Sequence, residues 1–164
     1  MNETPNHILK IENEKYEQTS VVRSIGMGLR AISDCSKLLV VYGDLVFNSA
    51  TLKNMTFKES SIIVTDQKMG NEEVGCIIDK NQQLTNLMYD LPKKWGQISI
   101  FMNKELKLLK QLCWDKKNNT KFGFEIINQI IQRGGSFRCI QNKNIKIVDV
   151  DSSKDIQKAK EILL

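Results

Sequence analysis

The sequence predicts an α/β fold, a mostly parallel sheet flanked by helices and carrying an inserted β-hairpin. Three observations point to it. Residues 37–47, KLLVVYGDLVF, contain five consecutive apolar residues, and such a run between polar residues suits a strand covered on both faces. Residues 61–65, SIIVT, repeat the pattern. Between and after these runs stand stretches with apolar residues at helical spacing, and alternating strand and helix signals are the mark of α/β architecture.

Composition narrows the class. A chain of 164 residues fits one domain, 1–164, and is long enough to bury a core without staples. Hydrophobic residues at 41% and charged residues at 26% exclude disordered and fibrous classes. The net charge is +5, yet the lysines are spread along the chain. The dense pairs are Lys93-Lys94 and Lys116-Lys117, with no basic run interleaved with aromatics, so no nucleic-acid partner is expected. A mildly basic surface serves phosphorylated small molecules equally well. The cysteines, Cys35, Cys76, Cys113 and Cys139, form no C-x-x-C pair and mostly sit in apolar runs, as reduced, buried thiols do. The first ten residues lack a signal pattern and no apolar run reaches membrane-spanning length, so a cytoplasmic location and no membrane span are expected. His7 is the single histidine, which excludes a histidine pair or a Ser-His-Asp triad.

Taken in order, residues 7–11 (HILKI) read as a short strand. Thr19 or Ser20 caps a helix whose apolar stripe runs through Val21, Val22, Ile25, Leu29 and Ile32. Inside it, Gly26-Met27-Gly28-Leu29-Arg30 imitates a phosphate-cradling G-x-G-x-R loop. Such a loop follows a strand and opens a helix, whereas these glycines interrupt neither side of the periodicity, so they read as small residues at a helix contact. The strand at 37–47 comes next, then a short helix at 48–55 with Asn48 or Ser49 as its cap. Residues 74–79 (VGCIID) and 84–89 (LTNLMY) form a β-hairpin. Residues 91–96, LPKKWG, read as a turn and 97–102, QISIFM, as a strand. Helices are predicted at 104–114 and 122–131, the latter stopped by Gly134-Gly135. Strands at 137–140 and 145–150 precede a helix over 155–164, opened by a capping box, Ser152-Ser153-Lys154-Asp155.

The chemistry is expected at strand ends. Asp44 follows Gly43 at the carboxyl end of an apolar strand, where open α/β sheets bind ligands and where glycine lets backbone and ligand approach closely. The alternative is an aspartate that caps the next turn. Asp149-Val150-Asp151 ends the last strand in the same way, and alternation sends Asp149 and Asp151 to one side. The cap of the next helix is already supplied by Ser152. Two carboxylates meeting across adjacent strand ends offer hard oxygen ligands for magnesium, which completes its shell with waters and substrate phosphates. The alternative for Asp149 and Asp151 is surface turn chemistry.

Here the chain resembles the nucleotidyltransferases of the sugar-1-phosphate and phosphocholine cytidylyltransferase type. The resemblance rests on a strand ending Val40-Val41-Tyr42-Gly43-Asp44 and a hairpin with a Lys-Pro-like element, Val74-Gly75-Cys76-Ile77-Ile78-Asp79 through Tyr89-Asp90-Leu91-Pro92-Lys93. It continues with a strand after Gly96, a helix opening Phe124-Glu125-Ile126-Ile127-Asn128, and the close Val148-Asp149-Val150-Asp151-Ser152-Ser153-Lys154-Asp155-Ile156.

This resemblance implies a Rossmann-like nucleotidyltransferase sheet in which Asp44 and Asp151 hold the catalytic magnesium. It implies transfer of a nucleoside monophosphate from a triphosphate, CTP favoured, to a phosphorylated sugar or small alcohol, with release of pyrophosphate, for surface glycan synthesis. Lys93 or Lys94 would balance the acceptor phosphate, Glu125 would hydrogen-bond the acceptor, and Gly43 and Asp149 would border the substrate. The alternatives are a solvated turn for the lysines and dipole-favoured placement for Glu125.

The family's opening strand and Gly-rich nucleotide loop are not found in these 164 residues. A partial domain is therefore expected, its first strands absent by about 60 residues, with an apolar sheet edge exposed. A separate chain or a homo-oligomer would supply the missing part. The competing readings are a non-catalytic remnant or binding module, and a basic nucleic-acid-binding domain.

Overall fold

A computed structural model describes residues 8–32, 34–53, 55–70 and 72–163. Its hub is β6 (Lys93–Met102), the longest strand, which carries three partners. On one edge lies β3 (Ser61–Thr65), antiparallel, pairing Ile100 with Ser61 and Lys94 with Thr65. On the other edge two strands share β6. The strand β1 (Lys37–Val41) pairs antiparallel with its second half, Val41 opposite Ile98. The strand β4 (Val74–Ile78) pairs with its start, Gly75 opposite Lys94. Residues 95–97 of β6 are left between them, so a gap opens where β1 ends and β4 begins.

Beyond these, β5 (Leu84–Tyr89) completes the hairpin with β4, and β7 (Arg138–Gln141) runs parallel to β3. A separate ribbon pairs β2 (Leu45–Phe47) with β8 (Ile147–Asp149), antiparallel. The hairpin at 74–89 and the strand at 61–65 stand as expected.

Two cores result from strand alternation. Ile62 and Val64 face a cluster formed with helices α1 (Val21–Ala31), α3 (Asn103–Trp114) and α4 (Gly123–Gln132), which contact one another. Ile63 faces the other way, onto Ile98, Ile145 and Ile147, under the β2–β8 ribbon. Each of these fully buried aliphatic side chains contributes about 1.5–3 kcal/mol relative to exposure. The short helix α2 (Ser49–Lys53) follows β2, with Asn48 Oδ1 accepting from the Thr51 hydroxyl at 3.0 Å. The closing helix α5 (Ser153–Leu163) packs on the ribbon, and its Asp155 carboxylate accepts from the Ser152 N–H at 3.1 Å.

Four expectations need correction. The fold class is α/β, but among the described residues the parallel pairing is that of β3 with β7, and the others are antiparallel. A covered strand reads as an apolar run whatever the direction of its neighbours, so direction was not in the pattern. The 37–47 run is two strands with a turn between them, and β1 is covered on one face only. Leu38 and Val40 pack on the core, whereas Leu39 is 37% and Val41 40% exposed. Lys93, Lys94, Trp95 and Gly96 belong to β6 rather than to a turn. Residues 8–11 form no strand and Ile8 and Leu9 are exposed, while His7 lies outside the described residues. No described helix is long and apolar enough to cross a membrane.

The Gly26 reading holds: a Cβ there would stand 2.7 Å from the backbone oxygen of Cys113, so this glycine lets α1 and α3 approach. The four cysteines are free, and burial pushes the Cys76, Cys113 and Cys139 thiols up to about 12.

Candidate functional site

The chain leaves the main sheet at Val41, turns through Gly43 and Asp44, and enters the ribbon at Leu45, opposite Asp149. The Val150 N–H donates to the Asp44 carbonyl at 2.9 Å, which carries the pairing one step further. Asp44 therefore stands beside Val150, and Asp149 and Asp151 flank it on one side of the strand. All three aspartates line one cleft, of about 240 Å³, in the gap between the end of β1 and the start of β4. The sequence expectation that Asp44 and Asp151 come together is met, with Gly43 in the turn beside them.

Asp149 is the most constrained of the three, its side chain 10% exposed. Gln97 Nε2 donates to its Oδ2 at 2.6 Å. Lys94 Nζ stands 3.5 Å from Oδ1, an ion-pair distance too long for a good hydrogen bond, and Oδ1 has no hydrogen-bond partner. Burial raises the Asp149 carboxyl above its ordinary value, the Lys94 ammonium opposes this, and the Glu73 and Asp44 carboxylates add to it. Lys94, 5% exposed, also pairs directly with Glu73. A buried lysine held between two carboxylates is stable because each charge has a partner.

Gln97 reaches Asp149 because β6 bulges. Ile62 pairs with Ser99 and Val64 with Trp95, so one residue of β3 faces three of β6, and Gln97 adopts φ 54°. Bulges re-aim side chains, and a non-glycine residue in the left-handed region stores strain. Gly96 sits in the same bulge, where a Cβ would stand 2.7 Å from Ile147 Cδ1, so glycine lets the ribbon close onto β6.

Aromatic rings complete the cleft. Tyr42 meets Trp95 edge to face at 5.8 Å, and its hydroxyl accepts from the Gly123 N–H. Its ionisation is pushed up by burial and by Asp44. Tyr89 meets Phe124 edge to face at 5.5 Å, and Phe124 stacks on Phe122 at 6.0 Å. A second cavity, of about 560 Å³, shares Glu72, Glu73, Asp149 and Asp151 with the first and adds Lys68, Lys94 and Lys158.

The remaining sequence candidates sit elsewhere. Lys93 Nζ donates to Asp66 Oδ1 at 2.8 Å and Gln141 Oε1 at 3.1 Å, and Gln141 donates to Asp66 in turn. That closed set ties β6 to β7 and to the residues after β3, away from the cleft lining. The Lys93 hydrogen bond holds the Asp66 carboxyl below its ordinary value. Glu125 accepts from the Phe122 N–H at 2.8 Å and from Lys121 Nζ at 3.1 Å, capping α4, and is not in the cleft lining.

Gln97, Glu73 and Glu72 line the cleft and were not singled out from the sequence. Nothing local in the sequence marks Glu72, Glu73 or Gln97 as cleft residues.

Among the described residues no group of three or more His, Cys, Asp or Glu is arranged to hold a metal ion by itself. Among the described residues, neither Asp44 nor Asp151 is ion-paired with a lysine or arginine. That donor set fits magnesium, which binds through one or two carboxylates plus substrate oxygens.

No protein-family model and no curated protein matches the sequence. Solved structures do. The inositol-1-phosphate CTP transferase from T. maritima superposes with a TM-score of 0.76 at 13% identity, over 93% of this chain and 64% of that one. The CTP:phosphocholine cytidylyltransferase from Streptococcus pneumoniae gives 0.70 at 15%, over 93% and 67%. HddC from Yersinia pseudotuberculosis gives 0.61 at 17%, over 94% and 65%. The chain thus spans about two thirds of the length of the structures it matches. The resemblance read from the Gly43-Asp44 and Asp149-Val150-Asp151 strand ends holds at the level of architecture: this chain has the fold of the sugar-phosphate nucleotidyltransferases.

Proposed function

We propose that the chain is the metal- and acceptor-binding part of a nucleotidyltransferase. The reaction transfers a nucleoside monophosphate from a triphosphate, CTP favoured, to a phosphorylated sugar or small alcohol and releases pyrophosphate, for surface glycan synthesis in the cytoplasm. The observation that carries it is the convergence of Asp44 and Asp151 on one cleft at paired strand ends.

Asp44 and Asp151 would hold a magnesium ion, which when bound neutralises phosphate charge and orients the acceptor phosphate in line with the α-phosphorus. The chain's other residues act by position. Gln97 and Lys94 fix Asp149 beside the two ligands, so that the carboxylates face the cleft in one arrangement. Lys94 is committed to Glu73 and Asp149, so it orders the site rather than gripping the acceptor phosphate. Lys68 and Lys158, in the adjoining cavity, are placed to attract phosphate oxygens.

The triphosphate needs a Gly-rich loop that these 164 residues do not contain. The free edge of β1, with Leu39 and Val41 exposed next to Gly43, is where added strands would dock. A further polypeptide segment or chain, or a second copy, would supply them. That same open edge also supports the second reading, a non-catalytic module of this fold.

The test is magnesium-dependent pyrophosphate release from CTP and other triphosphates with a panel of phosphorylated acceptors, using the chain joined to or mixed with its loop-bearing segment. Loss of release in both Asp44→Ala and Asp151→Ala supports the enzyme. Release that survives both replacements rules out the metal assignment.

A further inference from the structure

The outer face of α3 carries charge of one sign, on the helical side of the sheet and away from the β2–β8 ribbon. Lys107, Lys110 and Trp114 recur at helical spacing along it, while Leu106, Leu109, Leu112 and Cys113 take the buried side. Lys116 and Lys117 follow in the next turn, both exposed. Among the described residues, Lys107, Lys116 and Lys117 have no ion-pair partner. The two carboxylates of this stretch are engaged in holding the backbone. Glu105 turns inward, accepting from the Ser60 hydroxyl and the Ser136 N–H, both at 3.0 Å. Asp115 accepts from the Lys117 N–H at 3.1 Å.

The neighbouring helix α1 extends the surface. The Ser20 N–H donates to the Asn119 carbonyl at 2.7 Å, Gly26 packs on Cys113, and Cys35 shares a cavity with Leu106 and Lys107. Helix α1 therefore runs antiparallel beside α3. Arg30, exposed in its last turn, stands one helical turn beyond Gly26 on the flank that meets α3.

Trp114 gives this basic face its one large apolar group. It is 45% exposed, whereas Trp95 is 4% exposed, and a tryptophan is ordinarily well buried. An indole left half in water at the end of a lysine-lined helix suits a lipid surface. There the ring lies at headgroup level, the lysine stems run along the boundary, and the ammonium groups reach the lipid phosphates. Single-stranded nucleic acid is gripped by several stacking rings along a channel, and this face offers one ring on the outside of a helix pair.

We infer that the α1–α3 face docks the protein on an anionic phospholipid surface, with Lys107, Lys116, Lys117 and Arg30 against the headgroup phosphates and Trp114 in the interface. Such docking requires no transfer chemistry, and neither helix contributes a residue to the cleft between β1 and β4.

Sedimentation of the 164-residue chain with vesicles of phosphatidylcholine, with and without phosphatidylglycerol, tests this. Binding is expected to vesicles that carry phosphatidylglycerol and should fall as sodium chloride rises. A blue shift of tryptophan emission should accompany it and be absent in Trp114→Phe, because Trp95 is already buried. Each lysine close to an anionic leaflet is worth about fivefold in binding, so Lys107→Glu combined with Lys117→Glu should weaken it about twentyfold or more. The same charge change at exposed positions on other elements, Lys80→Glu combined with Lys160→Glu, should leave binding nearly unchanged. Equal losses from the two pairs would report net charge alone and overturn the inference. Failure to sediment with either vesicle, equal binding to phosphatidylcholine alone, or displacement from vesicles by duplex or single-stranded nucleic acid at matched salt would overturn it too.

Discussion

Gln97 holds Asp149 across 2.6 Å from a backbone position, φ 54°, that side-chain-bearing residues rarely adopt. The bulge in β6 thus sets strain against placement, which is how binding sites are commonly built. Comparing Gln97→Ala with Gln97→Gly separates the two. Both variants lose the hydrogen bond, but glycine tolerates the left-handed region, so Gln97→Gly should be about 1 kcal/mol more stable than Gln97→Ala. Urea denaturation midpoints check this, and equal midpoints would mean the bulge relaxes.

Lys94 is expected to matter more to folding than the exposed lysines do. Lys94→Met leaves Glu73 and Asp149 facing each other without their shared cation, and should cost about 3 kcal/mol. Adding Glu73→Gln should recover part of that loss, because the pair is coupled. Strictly additive losses in chemical denaturation would show that the three groups do not act together.

The pH dependence of stability should carry the signature of Asp149. Its folded carboxyl is raised above the ordinary 3.8, first by burial. A raised folded value means a favourable contribution that is complete below the unfolded value and is lost as pH rises through the folded one. Asp149→Asn should therefore gain stability over the native chain as pH climbs above about 4, and show little difference below it. Asp66 and Asp155, whose values are lowered, are present in both proteins and cancel in the difference. Thermal midpoints from pH 3 to 8 provide the measurement.

The two glycines of Gly26-Met27-Gly28 should separate under alanine substitution. A Cβ on Gly26 meets the Cys113 carbonyl at 2.7 Å, whereas one on Gly28 meets nothing within 4 Å. Gly26→Ala should destabilise by about 1–3 kcal/mol, and Gly28→Ala should stabilise by up to about 1 kcal/mol through helix propensity. Equal effects in denaturation would contradict the packing seen between α1 and α3.

What the sequence disclosed follows from what is local. Ser61–Thr65 and the hairpin at 74–89 carry their signal within a few residues, and so does the helix around Gly26. The aspartates at 44 and 151 were legible because both follow apolar runs. Strand direction, and the exposure of Leu39 and Val41, depend on which partner lies alongside, and that is decided by residues far away in sequence. Lys93 and Lys94 were misread because a charge pair after Pro92 looks like a turn. Their place in β6 depends on Asp66, Gln141, Glu73 and Asp149, none of them neighbours. Gln97 was invisible for the same reason, since its importance comes from a bulge against β3 and a contact 52 residues away.

The central claim is that Asp44 and Asp151 share one divalent ion. Manganese binding to the chain alone, followed by electron paramagnetic resonance, tests it without requiring turnover. The account predicts one site whose occupancy is lost in Asp44→Asn and equally in Asp151→Asn, with both variants folded. A site that survives both substitutions, or that depends on one and not the other, would contradict it.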